Sequence, residues 1–342
     1  MLKGLRYIIL LLIIGTLGFV LAYNLGVNAP VSGAGKDTVF IVSPGEGVEK
    51  IGQNLFDAGL INSRLYFKIY VWRSGIQSDL KAGEYMLKTS LSIKEIASIL
   101  VSGESLSREK EIKIIEGWKI NDIEEYLVKN NLAPKNTFNE LAKHDIGYWI
   151  LDIAKPDFLN DAPADANLEG YLFPDTYRIF RDATAEDIIA KMLDNFNGKL
   201  SPAMRADISK QGKSIHDIVV MSSIVEKEVR SAADKKIVAG ILYKRLELGM
   251  KLEVDATINY ISGKNNPSSA LEDLQIDSPY NTYKYYGLPP GPIANPGLDA
   301  IMAAIYPEKS PYLFYLNRQD TGETIFSKTY EEHLRNKAKY LK

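Results

Sequence analysis

The sequence predicts an α+β protein in which one N-terminal transmembrane helix is followed by a small α/β module and a larger α+β domain. Three observations support this class. The stretch 7–23 has no charged residue. Short alternating runs typical of strands occur between longer patterns typical of amphipathic helices. The length of 342 residues is enough for about two domains.

Composition removes several classes of function. The net charge of -2 gives no basic footprint, so we expect no nucleic-acid partner. Cysteine is absent, which excludes disulfides, a cysteine nucleophile and a thiolate metal site. The histidines His144, His216 and His333 lie far apart in no metal-binding spacing, so we expect neither a metal nor another cofactor. Carboxylates, hydroxyls and amides remain as candidate chemistry.

The N-terminus has the pattern of a membrane anchor. Residues 1–6 carry two positive charges, the apolar stretch 7–23 is near the lower length for a spanning helix, and the next positive charge is Lys36. This asymmetry predicts a cytoplasmic tail at 1–6 and an extracytoplasmic remainder. A cleaved signal peptide is the alternative, since residues 20–22 resemble a weak cleavage site. The Gly-, Ala- and Asn-rich residues 24–37 predict a linker.

Residues 38–108 predict a small module of strands and helices. Thr38–Val42 alternates as a strand. Gly45, Ser90 and Gly117 each open an amphipathic helix with similarly spaced apolar residues. Any capped amphipathic helix gives this spacing. The functional interpretation is a glycan- or wall-binding module, because the first copy resembles a LysM-like unit.

A charged joint at 104–110 leads into the larger domain, 109–342. The predicted elements after it are helices over 137–151, 185–198, 202–211, 214–230 and 232–248, a short helix from 300, a hairpin over 312–327 and a final polar helix.

The helix 214–230 carries the main candidate for catalysis. Ser214 and Asp217 are suited to its first turn. Glu226 falls on an apolar stripe, whereas Glu228 points to another side. The stripe comprises Ile215, Val219 and Ser222, flanked by Ile218, Val225 and Val229. A carboxyl group among apolar neighbours keeps its proton more easily, as a general acid requires. The alternative is a buried structural glutamate satisfied by an Arg or by backbone donors.

The stretch 168–180 is rich in aromatic side chains with acidic residues among them. Glu169, Tyr171 and Asp175 could bind a sugar, because sugar rings bind against aromatic faces with polar groups at their edges. The alternative is a packed aromatic turn in which Asp175 caps the next element.

Two further stretches supply candidate binding residues. The alternating run 251–260 places Asp255 at its centre, either as a site residue or as the cap of the following turn. The loop 278–297 is stiffened by prolines and carries tyrosines, which suits a groove for an extended polymer. The candidate substrate-binding residues, besides those of 168–180, are Ser223, Asp255, Tyr280, Asn281, Thr282, Tyr283, Pro290 and Gly291.

Four blocks occur together in one order. They are LEGYLFPDTY at 168–177, SSIVEKEV at 222–229, LEVDATINY at 252–260 and YNTYKYYGLPPGPIANPG at 280–297. With these blocks the chain resembles the YceG-like family, the endolytic murein transglycosylases. It departs from the usual family pattern at Asp255-Ala256-Thr257 and at Lys244-Arg245-Leu246, which leaves the roles of Asp255 and Arg245 open.

The resemblance implies a membrane-anchored enzyme that cleaves the MurNAc–GlcNAc β-1,4 bond inside peptidoglycan strands and leaves 1,6-anhydroMurNAc ends. It assigns the catalytic glutamate to Glu226. We expect neighbours such as Tyr283, Asn281 and Glu169 to position the strand. The expected partners are glycan strands, the cytoplasmic membrane and the peptidoglycan synthases of elongation or division.

Two other functions fit the same residues. One is a muramidase that hydrolyses the bond with two carboxylates, Glu226 with Asp255 or Glu169. The other is a non-catalytic wall-binding scaffold, in which the first module carries the function and Glu226 is structural.

Overall fold

The structure is a computed structural model that describes residues 2–33, 35–103, 109–264, 270–318 and 320–341, with side chains from Leu10 onward. Residues 104–108 of the predicted joint lie outside the described residues. The chain forms two compact units, Met1–Glu109 and Lys110–Lys342.

The first unit combines one long helix, a two-stranded sheet and three short helices. Its elements are α1 (Leu2–Asn28), β1 (Asp37–Val42), α2 (Val48–Asp57), α3 (Arg64–Arg73), β2 (Gly83–Lys88) and α4 (Ile93–Ser102). Strands β1 and β2 pair antiparallel, with Val39 opposite Met86. Helix α4 begins at a capping box formed by Ser92 and Glu95.

Helix α1 continues further than the apolar stretch predicts. It ends at Asn28, so the first residues of the predicted linker 24–37 are helical. Tyr23 and Val27 are buried in the core of this unit, which explains why the helix persists there. A 19-residue part of α1, Leu10–Asn28, is apolar enough to cross a membrane.

The second unit is mostly helical with two small sheets. Its elements are β3 (Glu109–Lys113), α5 (Ile120–Lys129), α6 (Thr137–Ala142), β4 (Thr176–Phe180), α7 (Ala185–Lys199), α8 (Pro202–Lys210), α9 (Ile215–Glu228), α10 (Ala232–Glu247), α11 (Asp255–Ser262), α12 (Leu298–Ile305), β5 (Phe314–Asn317), β6 (Thr324–Ser327) and α13 (Tyr330–Tyr340). Two 3₁₀ turns lie at Asp157–Leu159 and Asp273–Gln275. Strand β3 pairs with β4, and β5 pairs antiparallel with β6. The mixed α+β class is therefore as predicted.

Helix α9 lies at the centre of this unit. Ser214 and Asp217 form a capping box at its start, as the sequence predicts. His216 and every residue from Ile218 to Val225 are buried, and α9 packs against α10, α11 and α12. A helix buried on all sides is a core element, so one apolar stripe does not describe it.

Three local predictions are wrong. The helix predicted over 137–151 ends at Ala142. The run 251–260 is not extended throughout, because Glu253 has a positive φ of 54° and α11 begins at Asp255. The periodicity of the predicted helix 232–248 places Leu248 on its inward face, but Leu248 is 58% exposed. Helix α3 and strands β2 and β4 have weak local signals and were not predicted.

Candidate active site

The C-terminal end of α9 presents two glutamates, Glu226 and Glu228, to different surroundings. They are two residues apart, which turns their side chains by about 200° on a helix. Residues from different parts of the chain contact the two carboxyl groups, so the two groups differ in their chemistry.

Glu226 is held in a buried ion pair. Its two carboxylate oxygens lie 2.9 and 3.0 Å from the Nζ of Lys235 on α10, which is itself 3% exposed. The backbone N–H of Gly297 donates a third hydrogen bond at 3.0 Å. The apolar neighbours of Glu226 on its own helix, Val219 and Val225, are buried as predicted, but its carboxylate is held by polar groups from other parts of the chain. The arrangement matches the alternative of a satisfied buried glutamate, with Lys in place of Arg as the cation.

A second carboxylate adjoins this ion pair. The side chain of Glu116 lies against Gly297 so closely that a Cβ there would be 2.0 Å from its Oε1. Partial burial and the nearby charge of Glu226 raise the pKa of Glu116, and the charge of Asp299 adds to this. Lys235 counters these effects, because its positive charge lowers the pKa of Glu116 while its ammonium group bonds Glu226.

Glu228 has surroundings suited to holding a proton. The hydroxyl of Tyr315 donates to its carboxylate at 2.9 Å, and the backbone N–H of Ala256 in the first turn of α11 also donates to it. Burial and, to a smaller extent, the negative charge of Asp255 raise the pKa of Glu228 to about 7, against these two donors, which lower it. At neutral pH this carboxyl group is therefore divided between its acid and its base form.

Asp255 and Tyr283, both predicted from the sequence, are brought to Glu228. The hydroxyl of Tyr283 donates to Asp255 at 3.0 Å, and burial raises the pKa of Tyr283 well above its ordinary value. Thr282 is buried and fixes this corner, because its Oγ1 accepts from the Val254 N–H at 3.0 Å. Residues of 280–297 and 252–260 therefore meet beside the second glutamate of α9.

Glu169 occupies a different, fully internal position. It accepts from the Ile120 N–H at 3.1 Å and from the side chain of Asn295 at 3.1 Å. Burial raises its pKa to about 8. Asn295, which the sequence analysis did not single out, also accepts from the N–H groups of Gly170 and Leu172 at 2.9 and 3.0 Å. These bonds fix the 168–172 turn against the end of the 280–297 loop.

Three predicted binding residues belong to the framework instead. Tyr171 is fully buried, and its hydroxyl bonds His216 Nδ1 at 2.8 Å. Ser223 is buried and accepts from the Ile293 N–H at 3.0 Å. Asn281 is buried and donates to the backbone carbonyls of Leu274 and Ile276, which precede its loop. A buried ring cannot stack on a sugar, so the predicted contact of Tyr171 with substrate is wrong and its packed-core alternative holds.

The other predicted residues are distributed over the surface and the loop. Asp175 lies 3.3 Å from Lys199 in a partly exposed ion pair. Tyr280 packs on Tyr260 with ring centroids 5.1 Å apart. Its hydroxyl lies over Gly291, where a Cβ would be only 2.7 Å away. Pro290 is exposed, with its carbonyl 3.0 Å from His216 Nε2.

One missed residue left a signal in the sequence. Lys235 lies on the same stripe of α10 as Val238, Ala239 and Leu242, all buried. A lysine on an apolar stripe indicates a buried partner. Tyr315 left no comparable signal, because it reaches Glu228 from a strand 87 residues further along the chain. Within the described part of the chain, no group of acidic or histidine side chains is arranged to hold a metal ion.

Comparisons with known proteins cover almost the whole chain. The sequence profile of the YceG-like family matches residues 40–339. An endolytic murein transglycosylase of Bacillus subtilis (strain 168) is 34% identical over 333 residues, which is 95% of this chain and 91% of that protein. An endolytic murein transglycosylase of Streptococcus pneumoniae serotype 2 is 32% identical over 93% of this chain, which spans 61% of that longer protein. A crystal structure of a YceG-like protein from Listeria monocytogenes is 32% identical, with a TM-score of 0.59 over 87% of this chain and 98% of that one.

Proposed function

This chain belongs to the YceG-like family, and we propose that it is an endolytic murein transglycosylase. Its substrate is the glycan strand of peptidoglycan, which it cleaves internally at MurNAc–GlcNAc β-1,4 bonds to leave 1,6-anhydroMurNAc ends. The names of the relatives support the reaction class. The observation that carries the mechanism is Glu228, a carboxyl group whose pKa is raised to about 7 by burial.

The reaction needs one group that gives a proton and then takes one back. Protonated Glu228 donates to the glycosidic oxygen as the bond to C1 breaks. The C6 hydroxyl of the same MurNAc attacks C1, and ionised Glu228 accepts the proton that this hydroxyl releases. No water is consumed. The intramolecular attack is favoured by a high effective concentration of the hydroxyl, and a pKa near the working pH serves both proton transfers.

Residues around Glu228 assist by position and charge. Asp255 favours the acid form of Glu228, and in the proposed mechanism its negative charge stabilises the positive charge that develops at C1. Tyr283 holds Asp255 through its hydroxyl. Tyr315 and the Ala256 N–H stabilise the carboxylate left after the first proton transfer.

The sequence favours Glu226 as the acid, and the geometry favours its neighbour. Glu226 has the ammonium group of Lys235 and the backbone N–H of Gly297 on its two oxygens, so contacts within the protein already occupy both oxygens. We assign Glu226 to fixing the start of α12 and Glu228 to proton transfer, and a comparison of the two Gln variants decides between them.

The location follows from the proposed substrate. We propose that α1 anchors the chain in the cytoplasmic membrane with its N-terminus inside, that the remainder works outside, and that the enzyme acts on nascent strands near peptidoglycan synthases. We further propose that the first unit serves as a LysM-like wall-binding module.

Product chemistry tests the proposed reaction. The full chain in detergent is incubated with purified peptidoglycan, and the released fragments are weighed by mass spectrometry. Anhydro ends are expected. Reducing ends, one water heavier, would instead identify a muramidase in which Glu228 and Asp255 act as the two carboxylates. Binding without release by the folded chain would identify a scaffold.

A further inference from the structure

We propose that α3 lies on the bilayer surface, with Leu65, Ile69 and Trp72 inserted at the interface of an anionic membrane. This proposal rests on the proposed anchoring of α1. It goes beyond that anchoring, because it makes the first unit a membrane-bound body whose position relative to the bilayer is fixed by a second contact.

Contacts between α1 and α3 place the two helices side by side. The ring of Tyr66 on α3 lies 6.4 Å from Phe19 and 5.7 Å from Tyr23, measured between centroids. Gly26 lies so close to the same ring that a Cβ there would be 2.5 Å away. Arg73, at the end of α3, lies 5.8 Å over the ring of Tyr23. Helix α3 is therefore level with the last turns of α1.

Those turns coincide with the membrane boundary. The charge-free stretch 7–23 is about 25 Å long at the rise of an α-helix, and the hydrocarbon core of a bilayer is about 30 Å thick. If the stretch spans the core, Tyr23 lies at the edge of the core or inside it. Since Tyr66 packs on Phe19 and Tyr23, α3 lies at the same depth.

The face of α3 next to α1 is apolar and exposed. Leu65 is 55% exposed and Trp72 is 62% exposed. Ile69 lies between them at the spacing of one helical face and is half-buried against the core of this unit. On this helix Ile69 is turned by about 60° and Leu65 by about 100° from Tyr66, which contacts α1. Trp and Tyr are enriched at membrane interfaces, where an apolar ring and a polar edge are both satisfied.

The charges of α3 select the kind of membrane. The helix carries Arg64, Lys68 and Arg73 and no acidic residue. Lys68 also pairs with Glu49 and lies 6.0 Å over the ring of Trp72, so its charge is partly compensated. The two arginines flank the apolar face and remain exposed. Basic residues beside an inserted apolar face favour anionic headgroups.

Trp72 is the probe for this contact. The full chain is reconstituted into vesicles of phosphatidylcholine and phosphatidylglycerol whose acyl chains are brominated either just below the headgroup or near the chain end. Subtracting the emission of the W72F variant from that of the parent isolates the Trp72 emission. W149F makes the same substitution in the second unit and is the matched control. It should leave the response of Trp72 emission to the quenchers unchanged. Extraction with alkaline carbonate reports separately whether α1 is inserted.

We expect Trp72 to emit at short wavelength, to lose most of its emission to the shallow bromines and less to the deep ones, and to be protected from aqueous iodide. Quenching should weaken in vesicles of phosphatidylcholine alone. Emission that bromine does not quench and iodide does would overturn the proposal. Protection from both quenchers would also overturn it, indicating a protein partner or a second copy on this face. Release of the chain by carbonate would overturn both this contact and the anchoring, without bearing on the reaction.

Discussion

Replacing Tyr315 by Phe should shift the alkaline limb of the activity profile to higher pH. The Tyr315 hydroxyl donates to the Glu228 carboxylate at 2.9 Å and so lowers the pKa of Glu228. Removing this donor destabilises the ionised form of Glu228 more than the protonated form. The pKa of Glu228 therefore rises above its value of about 7, and the general acid stays protonated to a higher pH.

The size of the shift follows from the hydrogen bond that is lost. The hydrogen bond lost from Glu228 is worth about 0.5–1.5 kcal/mol. If that energy favours the ionised form alone, its loss raises the pKa by about 0.4–1.1 units. With a shift of about one unit, the protonated fraction of Glu228 at about pH 8 rises from roughly a tenth to roughly a half. The value of kcat/KM at that pH should then increase about fivefold relative to its own acid plateau.

Asp255→Asn should move the same limb in the opposite direction. The negative charge of Asp255 raises the pKa of Glu228, so a neutral side chain at 255 lowers that pKa. Asn keeps an oxygen that can accept from the Tyr283 hydroxyl. Opposite shifts from two neighbours of one carboxyl group are difficult to explain by a general loss of stability.

The assay is the rate of anhydro-end formation at low substrate concentration across a pH series, for the parent and both variants. Tyr306→Phe is the matched control, because the Tyr306 hydroxyl donates to Asp207 at 2.8 Å on an exposed part of the second unit. This control should leave the limb where it is. If Y315F leaves the limb unchanged or moves it to lower pH while the fold is intact, Glu228 is not the group that titrates.

Three further predictions concern stability. Lys235→Met should lower the free energy of unfolding, measured in urea titrations, by about 3–5 kcal/mol, because it leaves the buried carboxylate of Glu226 without its cation. The double variant K235M/E226M should recover much of this loss. If it does not, the ion pair is not the cause of the loss. The folded pKa of Glu169 is about 8, above its ordinary value of 4.5, so its contribution to stability is complete below about pH 4.5 and is lost as pH rises through about 8. Glu169→Gln should therefore reduce the fall in unfolding free energy over this window by about 3–5 kcal/mol, and an unchanged slope would contradict the assignment. Gly170→Ala should lower Tm by several degrees, because Gly170 has a φ of 87° and a Cβ there would be 2.5 Å from Pro292; a variant as stable as the parent in thermal unfolding would contradict this packing.

Local signals in the sequence predicted the mixed α+β class and the start of helices such as α9. The capping box of Ser214 and Asp217 marks the start of α9 in both sequence and structure, because capping depends on residues three apart. The pairing of β1 with β2 was less accessible, since it joins residues about 45 positions apart. Asp255 and Tyr283 stand out in the sequence as polar groups in unusual stretches, and the structure brings them together.

Long-range contacts account for what the sequence analysis missed. A helical wheel gives the direction of Glu226 and Glu228 but not what lies opposite each of them. The cation beside Glu226 comes from α10, and the hydroxyl beside Glu228 comes from β5. Tyr171 was misassigned for a related reason. An aromatic residue beside Gly and Pro has the same local pattern in a groove and in a core, and only the packing of Tyr171 on Phe158 and Phe196 distinguishes them.

The most direct test of the mechanism compares Glu228→Gln with Glu226→Gln in the full chain, each digesting purified peptidoglycan under conditions where thermal unfolding shows the variant to be folded. Glutamine keeps the size of each side chain and removes only its ability to exchange a proton. We predict that E226Q still forms anhydroMurNAc ends, with reduced stability, and that E228Q forms essentially none. Anhydro ends from folded E228Q, with none from folded E226Q, would contradict the account and return the acid to Glu226.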